Sequence, residues 1–349
     1  MQKIPPTTKL GVPAIFRLVG LRRSAILVSC ALMLLICVGL SLAIGSSNIP
    51  LSQVIHYLQY PDGSNDSYIV NEVRMNRTVL GILVGASLAV AGAVMQSITR
   101  NPLADPGLLG VNSGASLAIV LGATIGLDTS TGSQIILAFL GALLASLVVY
   151  AIGNMGRNGG SPLRLVLAGI AFSTASGGII GALLIINPRV FDTFRFWDVG
   201  ALTRTEISLW SLIIPMALGF IVIGFIISAL SSLDLGDEMA IALGTKVART
   251  RLLALISLTL LCATATAAAG PISFVGLMIP YFAGIIIGKN RGWIILTCAL
   301  LGPILMLSAD VLGRIIIRPT EMQVGLLTAF VGSPVLLFLV LRMRGLNAS

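Results

Sequence analysis

The chain has 349 residues, of which 56% are hydrophobic and 10% charged, and its mean hydropathy is +1.01. A soluble domain carries about one quarter charged residues, so the composition excludes a soluble enzyme or binding module and requires an integral membrane protein. A net charge of +9 and a pI near 10.0 would suit an acidic partner such as nucleic acid, unless the basic residues collect in cytoplasmic loops.

The pattern predicts an all-α membrane protein of about ten transmembrane helices in a compact bundle. Residues 1–24 are expected to form a cytoplasmic tail with Lys3, Lys9, Arg17, Arg22 and Arg23 and no acid, and 25–349 one transmembrane domain. The run Ala25–Ile44 is longer than the roughly 7–15 residues of a signal-peptide core, so it reads as the first span. Residues 45–73, with Pro50, Pro61-Asp62-Gly63, Asp66 and Glu72, read as an external loop. The second span is expected over Thr78–Ile98 and the third over Leu108–Leu127. Between them, Arg100-Asn101-Pro102 and Asp105-Pro106-Gly107 forbid a continuous helix. Irregular backbone between lipid-length segments requires a tight re-entry, satisfied by other protein or by water in a cavity. Transporters place gates and substrate paths at such points.

Asp128–Ser133 is a polar exit, the fourth span covers Gln134–Ile152, and Gly153–Arg164 is a glycine-rich basic loop with Arg157 and Arg164. The fifth span, Leu165–Ile186, ends at Asn187-Pro188. Arg189–Glu206 mixes Phe191, Phe194, Phe196 and Trp197 with Asp192, Arg195 and Asp198, the composition of a short interfacial helix. After the sixth span, Leu209–Leu230, the polar segment Ser231–Arg251 reads as two short helices around Leu243-Gly244, with the glycine as turn or C-cap. The remaining spans are Leu252–Ala269, broken by Gly270-Pro271, then Phe274–Gly288 with Pro280, Trp293–Leu312 and Val324–Leu341. Lys289-Asn290-Arg291 and Arg314–Glu321 are the polar turns between the last three, and Arg342 and Arg344 close the chain.

With both termini cytoplasmic, 15 of the 22 Lys/Arg fall inside and 7 outside, whereas 4 of the 13 acids fall inside and 9 outside. The positive excess is membrane topology, and the nucleic-acid reading falls away. Gly81/Gly85, Gly110/Gly114, Gly122/Gly126 and Gly177/Gly181 are small-xxx-small pairs that let helices approach closely.

Chemistry is sparse. Cys30, Cys37, Cys262 and Cys298 all lie in apolar runs without metal spacing, and His56 is the sole histidine. Gly244-Thr245-Lys246 lacks the upstream glycine and preceding strand of a phosphate-binding loop, so this chain does not bind ATP by that route. Charges deep in the apolar runs are almost absent; Asp310, near the outer end of its span, is the sole candidate, and gradient-driven transporters usually need such groups. The sequence reads as a conduit powered by another chain; a gradient-driven secondary transporter or channel is the competing reading.

A family resemblance sharpens this. Arg74-x-x-Arg77-Thr78, Ala91-Gly92-x-x-Met95-Gln96, Asn101-Pro102-Leu103-Ala104-x-Pro106-x-x-Leu109-Gly110 and Gly114-Ala115 resemble the signature of FecCD permeases. So do Arg164-x-x-Leu167-Ala168-Gly169, Phe196-Trp197 and Leu235-Gly236-Asp237-x-x-Ala240-x-x-Leu243-Gly244. Gly270-Pro271-Ile272-x-Phe274-Val275-Gly276-Leu277-x-x-Pro280, Ala309-Asp310-x-x-x-Arg314, Gly325 and Gly332-x-Pro334 complete the series. These are the membrane subunits of type II ABC importers for iron–siderophores, haem and vitamin B12, and the likeness is greatest to ferric enterobactin-type members.

The resemblance implies two permease subunits, the second a copy or a homologue, around a central path in a lipid bilayer. It also implies two cytoplasmic ATPase subunits, an extracytoplasmic binding protein and a ferric siderophore as cargo, with haem or cobalamin as the alternative. No cofactor or metal is expected in this chain, since ATP and magnesium would sit on the ATPase. Asn101 and Leu103 would form one cytoplasmic gate and Pro162 and Leu163 the other. Asp234, Gly236, Asp237, Glu238, Leu243, Gly244, Lys246 and Arg249, in the segment 231–251, would couple to the ATPase. Arg74, Arg77 and Arg314 would dock the binding protein, with snorkelling anchorage as the competing role. The chain departs from many members at Asn76, where they carry proline, and at Tyr281, where they carry histidine. The vitamin B12 permease has small hydroxyl residues where this chain has Pro162-Leu163, which disfavours cobalamin.

Overall fold

The computed structural model describes residues 12–47, 49–128, 130–155, 162–203, 209–318 and 320–347, with backbone alone for 12–19, 162 and 342–347. Lys3, Lys9, Arg157, Arg204 and Glu206 lie outside the described residues, as do the side chains of Arg17, Pro162, Arg342 and Arg344. In chain order the helices are α1 (Val12–Ala43), α2 (Leu51–Gln59), α3 (Asn65–Tyr68), α4 (Met75–Thr99), α5 (Val111–Thr124), α6 (Thr131–Asn154) and α7 (Pro162–Ile186). They continue with α8 (Pro188–Asp198), α9 (Leu209–Leu233), α10 (Asp237–Ala242), α11 (Val247–Ala269), α12 (Val275–Ile287), α13 (Arg291–Ile316) and α14 (Val324–Asn347). Among the described residues no strand occurs.

Local signals set many of the boundaries. The Asn290 side chain accepts the Trp293 N–H at 3.2 Å and caps α13, and Ser64 does the same for α3 through Ser67 at 3.2 Å. Pro188 opens α8, where a missing N–H costs nothing. Eight helical stretches are long and apolar enough to cross a membrane. The third expected span, Leu108–Leu127, is shorter in the structure, 14 residues in α5, whereas the eighth, Phe274–Gly288, matches the 13 residues of α12. At 1.5 Å per residue each reaches about 20 Å of a hydrocarbon layer about 30 Å thick. Hydropathy alone joined α5 to the residues on either side of it; the preceding segment Arg100–Gly110 holds no α-helix and includes a 3₁₀ turn at Pro106–Leu109.

Three further expectations are corrected. Helix starts at Val12, inside the segment read as a tail. The external loop 45–73 contains α2 and α3, and a π-helical turn at Ile69–Arg74 makes Asn65–Thr99 one continuous helical stretch. Ser231–Arg251 holds one short helix, α10; the second is the first turn of α11, because nothing after Lys246 interrupts the helix.

The centre of the bundle is α4, α11 and α13, with α4 against α13 the most extensive pairing. The apolar windows of α4 and α11 are 78% buried, whereas that of α7 is 11% buried and faces outward. Small residues permit the central contacts. A Cβ at Gly85 would lie 2.6 Å from the Gly302 carbonyl oxygen, and one at Gly92 would overlap the Gly276 carbonyl. Of the four predicted glycine pairs, Gly81, Gly85, Gly110, Gly114 and Gly122 meet neighbours, while Gly126, Gly177 and Gly181 face open space within the chain.

Candidate functional site: a re-entrant turn tied to a short helix

The break after α4 is built residue by residue. Arg100 ends the helix in the left-handed region (φ 51°, ψ 34°). The Asn101 side chain accepts the Leu103 N–H at 3.0 Å, and Asp105 accepts the Gly107 N–H at 2.7 Å, two Asx turns of the kind that replace helical bonds. Pro106–Leu109 form a 3₁₀ turn, and Gly110 at φ 74° turns the chain into α5. The turn is embedded in protein, as membrane-depth irregular backbone must be. The Pro106 ring stands against Gly276 at the start of α12, the Leu108 carbonyl against Gly169 of α7, and Gly110 against Phe172 and Val149.

The two expected gate pairs are placed differently. Leu103 packs against the buried cluster formed by Leu277 and Met278 of α12 and Leu339 of α14. Leu163 is 67% exposed at the start of α7, and Pro162 is the first residue of that helix rather than part of a loop.

Beside the turn, α10 is held by ion pairs. Asp234 takes a two-pronged contact from Arg291 (2.7 and 2.9 Å), and Asp237 takes Arg251 at 2.9 and 3.0 Å and Arg100 at 3.0 Å. Gly236 adopts φ 103°, which disfavours any side chain, and Gly244 (φ 81°) closes α10. The bonds Gly244 N–H to Ile241 O (2.9 Å) and Thr245 N–H to Ala240 O (2.9 Å) form a Schellman cap, as the glycine predicted. Glu238, Lys246 and Arg249 are exposed, as are Leu235, Met239, Ile241 and Leu243. A cavity of about 890 Å³ bordered by Gln96, Arg100, Asn101, Tyr281 and Arg291 opens at this end. A second, of about 440 Å³, lies against Arg100 and residues 235–239.

Arg74, Arg77 and Arg314 lie at the other end of α4 and α13, and they point inward, each 5% exposed or less. Arg74 donates to the carbonyls of Leu42 (2.8 Å), Ala43 (2.9 Å) and Ser47 (2.9 Å), and Arg314 to those of Ser41 and Ile44 (both 2.8 Å). Arg318 takes the Gly45 carbonyl at 3.0 Å. Together they satisfy the unpaired carbonyls where α1 ends, a place where cations are also favoured by the helix dipole. Asp310, fully buried, pairs with Arg314 and with Arg77 (2.7 Å), and Arg77 also meets Glu321 at 2.5 Å. Most donors of these three arginines are engaged within the chain, while Arg314 Nε is buried without a hydrogen-bond partner.

Glu321 gives a pH prediction. Burial opposes its ionisation, but the charge and hydrogen bond of Arg77, helped by Ser46 and Arg314, outweigh this and hold its pKa below the ordinary 4.5. A lowered carboxylate pKa adds stability that is complete above 4.5 and lost as pH falls through the folded-state value. Glu321→Gln is expected to cost about 1 kcal/mol at pH 7 and to flatten the acid limb of a thermal-stability profile. An unchanged acid limb would show that the pair contributes nothing.

Sequence reading did not find the pairs Arg100–Asp237, Arg251–Asp237 and Arg291–Asp234. The available signal was that three of the four acids on the basic side cluster at 234–238, where cations must face them.

Among the described residues, eight lipid-length helices, two shorter apolar ones and a re-entrant turn mark a multi-pass membrane protein. The chain belongs to the FecCD transport family, whose pattern matches residues 33–342. It is 45% identical to the ferric enterobactin transport system permease protein FepD of Escherichia coli (strain K12), over 89% of this chain and 93% of that one. It is 39% identical to the Fe(3+)-citrate import system permease protein YfmD of Bacillus subtilis (strain 168), over 88% and 92%. A solved structure described as an inward-facing conformation of a metal-chelate type ABC transporter superposes with a TM-score of 0.76 at 27% identity, covering 91% of this chain and 99% of that one. The chain is thus a transport subunit, not an enzyme, of the bacterial inner membrane.

Proposed function

We propose that the chain is the permease subunit of an ATP-driven importer that takes a ferric siderophore of the catecholate type from a soluble binding protein and releases it into the cytoplasm by alternating access. The observation that carries this reading is the surface of α10 and its flanks. Leu235, Met239, Ile241 and Leu243 are each more than half exposed, and they stand beside Glu238, Lys246 and Arg249 at the basic end of the bundle. An apolar helical face with a charged rim outside the lipid-length segments suits a groove on a second protein. On this reading that protein is the ATPase, present twice under a pair of permeases, and the neighbouring re-entrant turn is a gate. The open face of α7 at Gly177, Gly178 and Gly181 suits close approach of a second permease. The cargo assignment rests on the 45% identity to a protein named for ferric enterobactin.

The test is reconstitution of the permease with the ATPase encoded beside it. Met239→Glu with Leu243→Glu is expected to abolish co-purification of the ATPase and ATP-dependent uptake of ⁵⁵Fe-enterobactin, leaving membrane insertion intact. Uptake of ⁵⁵Fe-citrate in preference to the catecholate would reject the cargo. Chelate uptake by the purified chain alone under an ion gradient would reject the whole reading.

A further inference from the structure

We infer that Arg100 is a positioning residue that transmits displacement of α10 to the re-entrant turn, acting as a strut between the two. The inference rests on the reading of α10 as the ATPase contact. Arg100 stands at the last turn of α4 with φ 51°, one of two non-glycine residues with positive φ among those described. Glycine is the usual solution for a helix that ends in this conformation, and a side chain there costs about 1 kcal/mol. The side chain that bears this cost does not fold back on its own helix. It crosses to the Asp237 carboxylate at 3.0 Å, and its guanidinium covers the spot where a Cβ at Gly236 would stand, 3.6 Å away. Asp237 is the first residue of α10, and Gly236 is the hinge before it.

Both ends of the contact are more than a third exposed, so as a static ion pair it contributes little to stability. What it fixes is distance. Asn101, one bond from Arg100, forms the Asx turn that starts the re-entrant segment, and Leu103 of that turn packs on α12 and α14. A shift of α10 that keeps the pair closed must therefore carry Arg100 with it and change the turn. Arg251 of α11 donates to both oxygens of Asp237, including the Oδ1 that Arg100 meets, so the carboxylate links the turn to α11. Arg291 on Asp234 fixes the end of α9 to α13 but not to the turn.

Arg100→Gly separates the strut from the cap, because glycine keeps the left-handed backbone and removes its strain. In the reconstituted complex with its ATPase and binding protein, the ratio of chelate transported to ATP hydrolysed is the readout. Arg100→Gly is expected to lower that ratio about fivefold or more while ATPase co-purification stays as in the unmodified complex. Arg100→Lys, which keeps the cation, is expected to recover part of it, and Arg251→Gln, which leaves the Arg100–Asp237 pair in place, to lower it less. Asp237→Asn, which weakens the contacts of both Arg100 and Arg251, is expected to lower the transport ratio at least as far as Arg100→Gly. A ratio for both Arg100→Gly and Asp237→Asn equal to that of the unmodified complex would overturn the strut alone. Absence of ATP-dependent uptake in the unmodified complex would overturn the reading of α10 and the strut with it.

Discussion

Alanine at Asp310 is expected to lower the stability of the folded chain by about 3–5 kcal/mol, the cost of stranding buried charge. Asp310 is fully buried and is the common partner of Arg77 and Arg314, both themselves buried. Without it two guanidinium groups face each other at the end of a membrane-spanning helix, with Glu321 as the only remaining acid in contact. Arg314 would keep its bonds to the Ser41 and Ile44 carbonyls, so α1 should remain attached while α4 and α13 separate at this end. Thermal unfolding in mild detergent, with the amount of inserted protein as a second measure, checks the expectation. Asp310→Asn, which keeps acceptor capacity and loses charge, should fall between the two. A cycle with Arg77→Ala should be strongly non-additive; simple addition of the single effects would show that the pair is not coupled.

A comparably large loss is expected from one methyl group. Gly92→Ala puts a Cβ into the Gly276 carbonyl, and because the obstacle is backbone no rotamer change relieves it. Overpacking of this kind costs about 1–3 kcal/mol or more, and here it acts at the crossing of α4 with α12. The consequence extends to the re-entrant turn, since the Pro106 ring also packs against Gly276. Gly39→Ala in α1 is the control. Nothing lies within 4 Å of a Cβ there, so that change should be neutral or slightly stabilising through helix propensity. Comparable melting temperatures for the two variants would mean that the α4–α12 crossing can open without cost.

These two sites mark the boundary of what a single sequence discloses. The apolar runs were legible because each lipid-facing helix must be apolar all round, and most observed helices start and stop within a few residues of the predicted spans. The turn at Arg100–Gly110 was legible too, since two prolines and a glycine leave no helical alternative. Its embedding against α12 and α7 was not. Whether Asp105–Leu109 lies in a loop beyond the membrane or within the bundle depends on Gly169 and Gly276, some 60 and 170 residues further along the chain. The shortness of α5 escaped for a related reason, because hydropathy counts apolar residues whether or not they are helical; the short α12 was legible as Phe274–Gly288.

The arginines illustrate the remaining gap. Arg74, Arg77 and Arg314 stand at span ends, where sequence places them equally well on the surface or under it. What turned them inward was the end of α1, whose unpaired carbonyls offer acceptors, and Asp310, one turn before Arg314, which offers charge. Asp234 and Asp237, read as partner contacts, also pair within the chain, Asp234 with Arg291 and Asp237 with Arg251 and Arg100.

The sequence by itself determined a multi-pass helical protein, the side of the membrane on which its positive charge should gather, the break between the second and third spans, and a polar segment with a glycine cap before the seventh. Each follows from local chemistry: transfer of apolar residues to lipid, the missing N–H of proline, and the conformational freedom of glycine. Only the tertiary structure decided which charges are buried, which helices stop short, and that Arg100 reaches Asp237. Those outcomes depend on contacts between residues up to 273 positions apart, and no local pattern encodes the distance between two such groups.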